Sequence, residues 1–349
     1  MKFDVRQTNI VKGTALLLLL CHHLFLTTAD RYISVLMLGD VPFERLFAEY
    51  GKCCVAMFMF CSGYGLYKSY TAFLQKRQDK PIWKTDIVFV KNRLLKLLAN
   101  YWVVFILFVP LGLLFGRRFY EIYGSDPLHY LADIFGVSYL FYDINYTMNA
   151  TWWYMGIIIL YYLLFPLLMK PFMRLPTLVT AIAIAIAFLP LHLKQTYLGA
   201  FLLGAYFANK ALFEKVDKVL HSLWLKIPLL LVMLAVVSVV RFHLNQISML
   251  SAMRFDAIYV IPVILICYLL LSRVKVLGRF LEALGQKSGL IFLFHTFITY
   301  YYFRDLLFSV KQSTLIFVIA LAVCWLIAWL LEWLMKITGY QKLVKKLTS

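Results

Sequence analysis

Charge is scarce in this chain. Asp, Glu, Lys and Arg make up 15% of its 349 residues, where a soluble domain carries about 25%. With 63% hydrophobic residues and a mean hydropathy of +0.79, that scarcity excludes an ordinary soluble protein. Cysteine is sparse and unpatterned. Cys21, Cys61, Cys267 and Cys324 lie inside apolar runs, and Cys53-Cys54 opens another. With no CxxC and no Cys/His metal spacing, the six cysteines read as small packing residues, and no metal site is expected. There is no P-loop, no GxGxxG, no zinc motif and no internal repeat. The first apolar run lacks a small-residue cleavage site and is followed by many more runs, so it reads as a span and not as a signal peptide.

What is present is a series of membrane-length apolar stretches. Ten are readable, at about 10–28, 51–70, 94–116, 152–169, 175–191, 196–209, 224–240, 254–271, 288–303 and 313–335. The sixth is short, and its Gly199 and Gly204 suggest close helix packing. The stretch 128–142 adds a partial or interfacial helix. The expected fold is an all-α integral membrane protein, a polytopic bundle of about ten transmembrane helices. Residues 1–349 form a single transmembrane domain with no separate soluble domain. The 29 Phe, 23 Tyr and 8 Trp suit a bilayer protein with interfacial aromatics.

With ten spans both termini share a side, and 25 of the 35 basic residues fall there, with only seven of the 17 acidic ones. The positive-inside bias makes that side cytoplasmic, in a bacterial plasma membrane. Topology accounts for most of the net charge of +18, and nucleic acid is not an expected partner.

His22 and His23 stand within the first apolar run. An ionisable side chain in hydrocarbon is costly and marks a functional position facing protein interior. Imidazole also suits proton transfer near neutral pH. On a helix, Lys12 and His23 lie within about 20° of one face and roughly 17 Å apart along the axis, while His22 falls about 80° away. A lysine at the inner mouth and a deep histidine on its face suit an anionic cytoplasmic ligand whose reactive end points into the membrane. His23 is therefore the leading catalytic candidate, with His22 and His295 behind it. Arg93 and Lys96, three apart at the start of the third span, share a face and follow a basic loop, as a phosphate site would. His129 and Asp133 read as an i,i+4 surface pair, and His192, His221 and His243 as interfacial residues at span ends. Ser62 lacks a GxSxG elbow and reads as part of Ser-Gly helix packing.

Five segments, in order, resemble the acyltransferase 3 family of membrane acyltransferases. They are Lys12-Gly13 with His22-His23, then Phe58-Met59-Phe60-Cys61-Ser62-Gly63-Tyr64, then Asn92-Arg93-Leu94-Leu95-Lys96 continuing to Tyr101. Thr151-Trp152-Trp153-Tyr154 with Tyr161-Tyr162 and Pro166 follows, and Leu284-Gly285-Gln286-Lys287-Ser288 with Leu293-Phe294-His295 closes the series. The likeness covers about residues 5–335. Lys12 stands where the family often has Arg, and Lys96 and Ala99 replace its second Arg and its Pro.

The resemblance implies transfer of an acyl group, expected to be acetyl, from cytoplasmic acyl-CoA to a hydroxyl of an extracytoplasmic carbohydrate or lipid-linked glycan. Acetyl-CoA is then the expected donor, and the partners are the glycan acceptor and membrane lipid. Lys12, Arg93 and Lys96 are placed to meet the donor phosphates, and Trp152, Trp153 and Tyr154 to stack on sugar faces. The rival reading is a glycan or metabolite transporter or flippase with an intramembrane proton-relay histidine. Inverted repeats or paired broken helices would favour it, and neither is visible.

Overall fold

The computed structural model describes residues 2–143, 147–189, 195–220 and 222–348. His192 and His221 lie outside them. The principal helices are α1 (Val5–Phe25), α2 (Cys54–Gln75), α3 (Ile82–Leu111), α4 (Pro127–Ile134), α5 (Trp153–Arg174), α6 (Pro176–Ala187), α7 (Leu198–Lys210), α8 (Leu223–Ile247), α9 (Met249–Leu269), α10 (Lys275–Thr296), α11 (Ser313–Ile337) and α12 (Tyr340–Leu347). The strands Met37–Leu38 and Val41–Pro42 pair in a short ribbon. The protein is an all-α membrane protein. Six of the ten expected intervals hold helices long and apolar enough to cross a bilayer: those of α1, α3, α5, α8, α9 and α11. The other four hold α2, α6, α7 and α10, which are shorter or more polar.

Local sequence explains where several helices start. Asp126 caps α4 by accepting from the Leu128 and His129 amides, with Pro127 in the first turn, where it leaves no amide unpaired. Ser248 caps α9 by accepting from Ser251, and Gln312 caps α11 by accepting from Leu315.

The described chain clusters into two compact units. The first comprises Met1–Leu19, Gly51–Asp79 and Leu167–Gln286, and the second comprises Leu20–Tyr50, Lys80–Pro166 and Lys287–Ser349. The first unit is built on glycine contacts. A Cβ on Gly63 of α2 would sit 1.8 Å from the Phe201 carbonyl oxygen of α7, and one on Gly204 of α7 would sit 2.0 Å from that of Phe60. The two helices thus meet backbone to backbone, each supplying the gap for the other. Gly13 of α1 meets the Leu281 carbonyl at 2.0 Å in the same sense, and Gly285 of α10 meets that of Asn9 at 1.9 Å. The glycines of three sequence motifs therefore mark helix crossings. Between α8 and α9, buried Arg241 donates to Asp256 at 2.7 Å, each buried charge answering the other. All six cysteines are buried and unbridged.

In the second unit, Lys287 of α10 pairs with Glu332 of α11. Tyr340 of α12 donates to the Ala99 carbonyl of α3 at 3.1 Å. His129 and Asp133 are both buried, at 5% and 1% exposure, so the expected surface pair is corrected. Asp133 turns instead to Tyr123 and the Met148 amide, while His129 stacks on Tyr142 at 4.0 Å. A helical i,i+4 spacing says which face two residues share, and here that face is covered.

Gly204→Ala is expected to destabilise the protein by about 1–3 kcal/mol, because the new methyl has only backbone to push against. Gly65→Ala, with open space at its Cβ inside helix α2, should raise stability by about 0.5–1 kcal/mol. Thermal unfolding in detergent compares the two. Equal midpoints would show that the crossing tolerates a side chain.

Candidate functional site

The second unit brings three histidines together. The last turn of α1 carries His22 and His23, and the last turn of α10 carries His295. His22 is buried, with Nδ1 2.8 Å from the Ala48 carbonyl oxygen. A carbonyl only accepts, so Nδ1 of His22 carries the proton in that contact. His23 is partly exposed. Its ring lies 5.1 Å from that of His22 and 4.9 Å from that of His295.

His295 is fully buried. Its Nδ1 lies 2.9 Å from the Phe292 carbonyl oxygen and 3.2 Å from that of Ile291. Both neighbours are acceptors, so Nδ1 holds a hydrogen and the neutral ring presents its lone pair at Nε2. That Nε2 is buried and has no hydrogen-bond partner among the described residues. Directly after His295 the helix widens into a π-turn at Phe297–Tyr301, a distortion common at functional positions.

A polar network missed by sequence reading holds this turn. Asn149 is fully buried. Its Oδ1 accepts from the Thr151 amide at 3.0 Å, the Thr151 hydroxyl at 2.7 Å and the Thr296 hydroxyl at 2.8 Å. Its Nδ2 donates to the Leu293 carbonyl at 3.3 Å. Arg117 clamps the preceding residues, donating to the Met148 and Thr147 carbonyls at 2.7 and 2.8 Å, and its guanidinium lies 4.0 Å over the Tyr301 ring. The only sequence signal was an Asn two residues before a Thr at the start of a helix, which is also an ordinary cap.

The remaining candidates separate. Trp152 is 2% exposed. Its indole N–H donates to Leu293 at 2.8 Å, and its ring packs on Tyr101, Phe105 and Phe297. Tyr154 is buried against Phe292, and Trp153 keeps partial exposure. Arg93 is half-buried, with its guanidinium 5.2 Å from the Phe89 ring, whereas Lys96 is exposed and lines a cleft beside α12. The two face different neighbours although they are three residues apart. Lys12 belongs to the first unit and is half-buried on α1, which runs unbroken to Phe25. Among the described residues no cluster of His, Cys, Asp or Glu suits a metal ion.

Asp133 anchors the loop below this network, outside the spans. Burial pushes its carboxyl up to about 6, against the downward pull of Tyr123, the Met148 amide and Arg117. A carboxyl raised in the folded state favours the protonated native form. Its contribution is complete below the ordinary value of 3.8 and is lost as pH rises through about 6. Asp133→Asn removes the charge and keeps an acceptor for both donors. The variant's thermal midpoint relative to wild type should therefore rise between about pH 4 and pH 7, by the equivalent of roughly 2–3 kcal/mol. A difference constant across that range would show that the carboxyl does not titrate there.

Searches of curated proteins and of solved structures return no match to the chain. Among protein families, residues 6–333 match the acyltransferase 3 family, described as an acyltransferase domain. That span takes in α1 with its two histidines, the Asn149 loop and His295, and nearly the whole apolar chain. The protein is a membrane acyltransferase of the acyltransferase 3 family.

Proposed function

We propose that the protein is an O-acyltransferase that moves an acyl group, expected to be acetyl, from cytoplasmic acyl-CoA to a hydroxyl of an extracytoplasmic carbohydrate or lipid-linked glycan. The supporting observation is His23 beside His295, whose Nε2 is a buried and unpartnered proton acceptor. In this reading His23 takes the proton of the acceptor hydroxyl. The oxygen attacks the thioester carbonyl carbon, the C–O bond forms, and the C–S bond breaks. The proton leaves with the CoA thiol. His295 sets the orientation and charge of His23 from the adjacent ring. His22, tied to Ala48, anchors the end of α1.

Arg93 is the basic residue of the second unit best suited to the donor's phosphates. Part of its charge lies against the Phe89 ring, where a guanidinium keeps its forked donors free for a bidentate partner. Lys12 joins the donor side by its spacing from His23 on α1. Trp153, partly exposed at the start of α5, is the aromatic proposed to meet the sugar. The charge asymmetry between loops supports cytoplasmic termini, and in this reading the protein sits in a bacterial plasma membrane, so that donor and acceptor approach from opposite sides.

His23→Ala should reduce acyl incorporation into cell-surface glycan by about 10²–10⁴-fold at matched protein level. His22→Ala should cost less. His22→Ala losing incorporation while His23→Ala keeps it would reverse the assignment, and retention in both would remove the histidines from the reaction.

For Arg93→Ala, steady-state kinetics with varied acyl-CoA should show a raised donor KM, corresponding to about 1.5–3 kcal/mol for a charge-assisted bond. An unchanged donor KM would leave Arg93 only a role in orienting the chain.

A further inference from the structure

A cleft of about 400 Å³ in the second unit opens between α3 and α12. Its polar wall is made by Lys96 and Asn100 of α3 and Gln341 and Lys345 of α12, and no acidic residue lines it. Neither lysine forms an ion pair among the described residues. Met335 and Tyr340 form the edge of this cleft, and the same two residues also line a second, apolar groove of about 220 Å³. That groove runs along Trp102, Ile106 and Leu107 of α3 against Leu334 of α11. From Lys96 to Leu107 is eleven residues, roughly 17 Å along the helix. A basic head pocket thus leads into an apolar channel that follows a membrane span.

We propose that this cleft and groove bind one anionic phospholipid, with its phosphate between Lys96 and Lys345 and an acyl chain along Ile106 and Leu334. Charge complementarity chooses the occupant: two ammonium groups with no ion pair among the described residues line the cleft, Lys96 where the apolar run of α3 begins. The apolar groove selects a tailed ligand over a soluble phosphate. Helix α12 has the composition of an interfacial helix. Leu343 and Leu347 are each 52% exposed and alternate with Lys342, Lys345 and Lys346. It lies beyond the stretch matched by the acyltransferase family, which ends at residue 333. The site is separate from the histidines and does not depend on their chemistry.

Purified full-length protein in neutral detergent, titrated with phosphatidylglycerol or phosphatidylcholine and read by native mass spectrometry, tests this. Wild type should retain phosphatidylglycerol in preference to phosphatidylcholine. Lys345→Glu should weaken phosphatidylglycerol roughly ten- to thirtyfold, because an attraction becomes a repulsion at the lipid phosphate. Lys342→Glu, the same charge change on the same helix but outside the cleft, should bind as wild type does. Ile106→Trp, which fills the groove, should weaken binding without any change of charge. Thermal midpoints within the wild-type range certify the fold of each variant. Three results overturn the proposal: equal retention of the two lipids, equal loss in Lys345→Glu and Lys342→Glu, or displacement of the lipid by free CoA with Ile106→Trp silent. The last would make the cleft a site for soluble phosphates.

Discussion

Leu293 and Thr296, on either side of His295, carry the bonds that fix the histidine-bearing end of α10. The Leu293 carbonyl accepts from both Asn149 and Trp152, and the Thr296 hydroxyl donates to Asn149. In an apolar surrounding each of these groups would be costly if left unpaired. The loop at Thr147–Trp152 and the helix therefore hold each other in one register. A buried imidazole with an open nitrogen can persist only on a turn held this firmly, since an unmade hydrogen bond favours any rearrangement that would complete it. The π-turn that follows is accommodated by the same bonds, with Tyr301 accepting from the Ala150 amide at 3.0 Å.

Many polar groups elsewhere are paired by different means, although Asp256 keeps one carboxylate oxygen without a hydrogen-bond partner among the described residues. Arg241 and Asp256 neutralise each other, and Asp133 gathers two donors on one oxygen. At the glycine crossings of the first unit the helices come close enough for backbone to meet backbone without a side chain between. His295 Nε2 is one of several buried polar atoms without a hydrogen-bond partner among the described residues, and it is the one whose ring lies 4.9 Å from that of His23.

Sequence carried the broad features well. Apolar run length gave the helical membrane class because a bilayer admits few other backbones. The two histidines in the first run were legible for the same reason, as was the close packing at Gly204. The polar network was not legible. Asn149 and Thr151 sit in a short loop whose composition matches any helix start, and their partner Thr296 is 147 residues from Asn149. Burial at His129 and Asp133 was hidden because helical spacing shows which residues share a face and not what covers it. Position grouped Trp152 with Trp153 and Tyr154 and did not show that its indole N–H donates to the buried Leu293 carbonyl. For Arg93 and Lys96, three residues apart, the spacing did not show that about 60° of helical rotation gives each its own neighbours.

The tautomer argument bears on the choice between acyl transfer and transport. A relay histidine receives a proton on one nitrogen and releases it from the other. In His295, Nδ1 faces only carbonyl oxygens, and losing its proton would leave both carbonyls and a buried lone pair unsatisfied. His22 is tied in the same manner to Ala48. Each ring can exchange a proton through Nε2 alone, taking it up and returning it on the same side. In the proposed reaction neither of these rings is the base: His23 takes the proton, and the two fixed rings flank it. Such fixed rings do not supply a wire across the membrane, and so the geometry of two imidazoles agrees with the acyltransferase family to which the chain belongs.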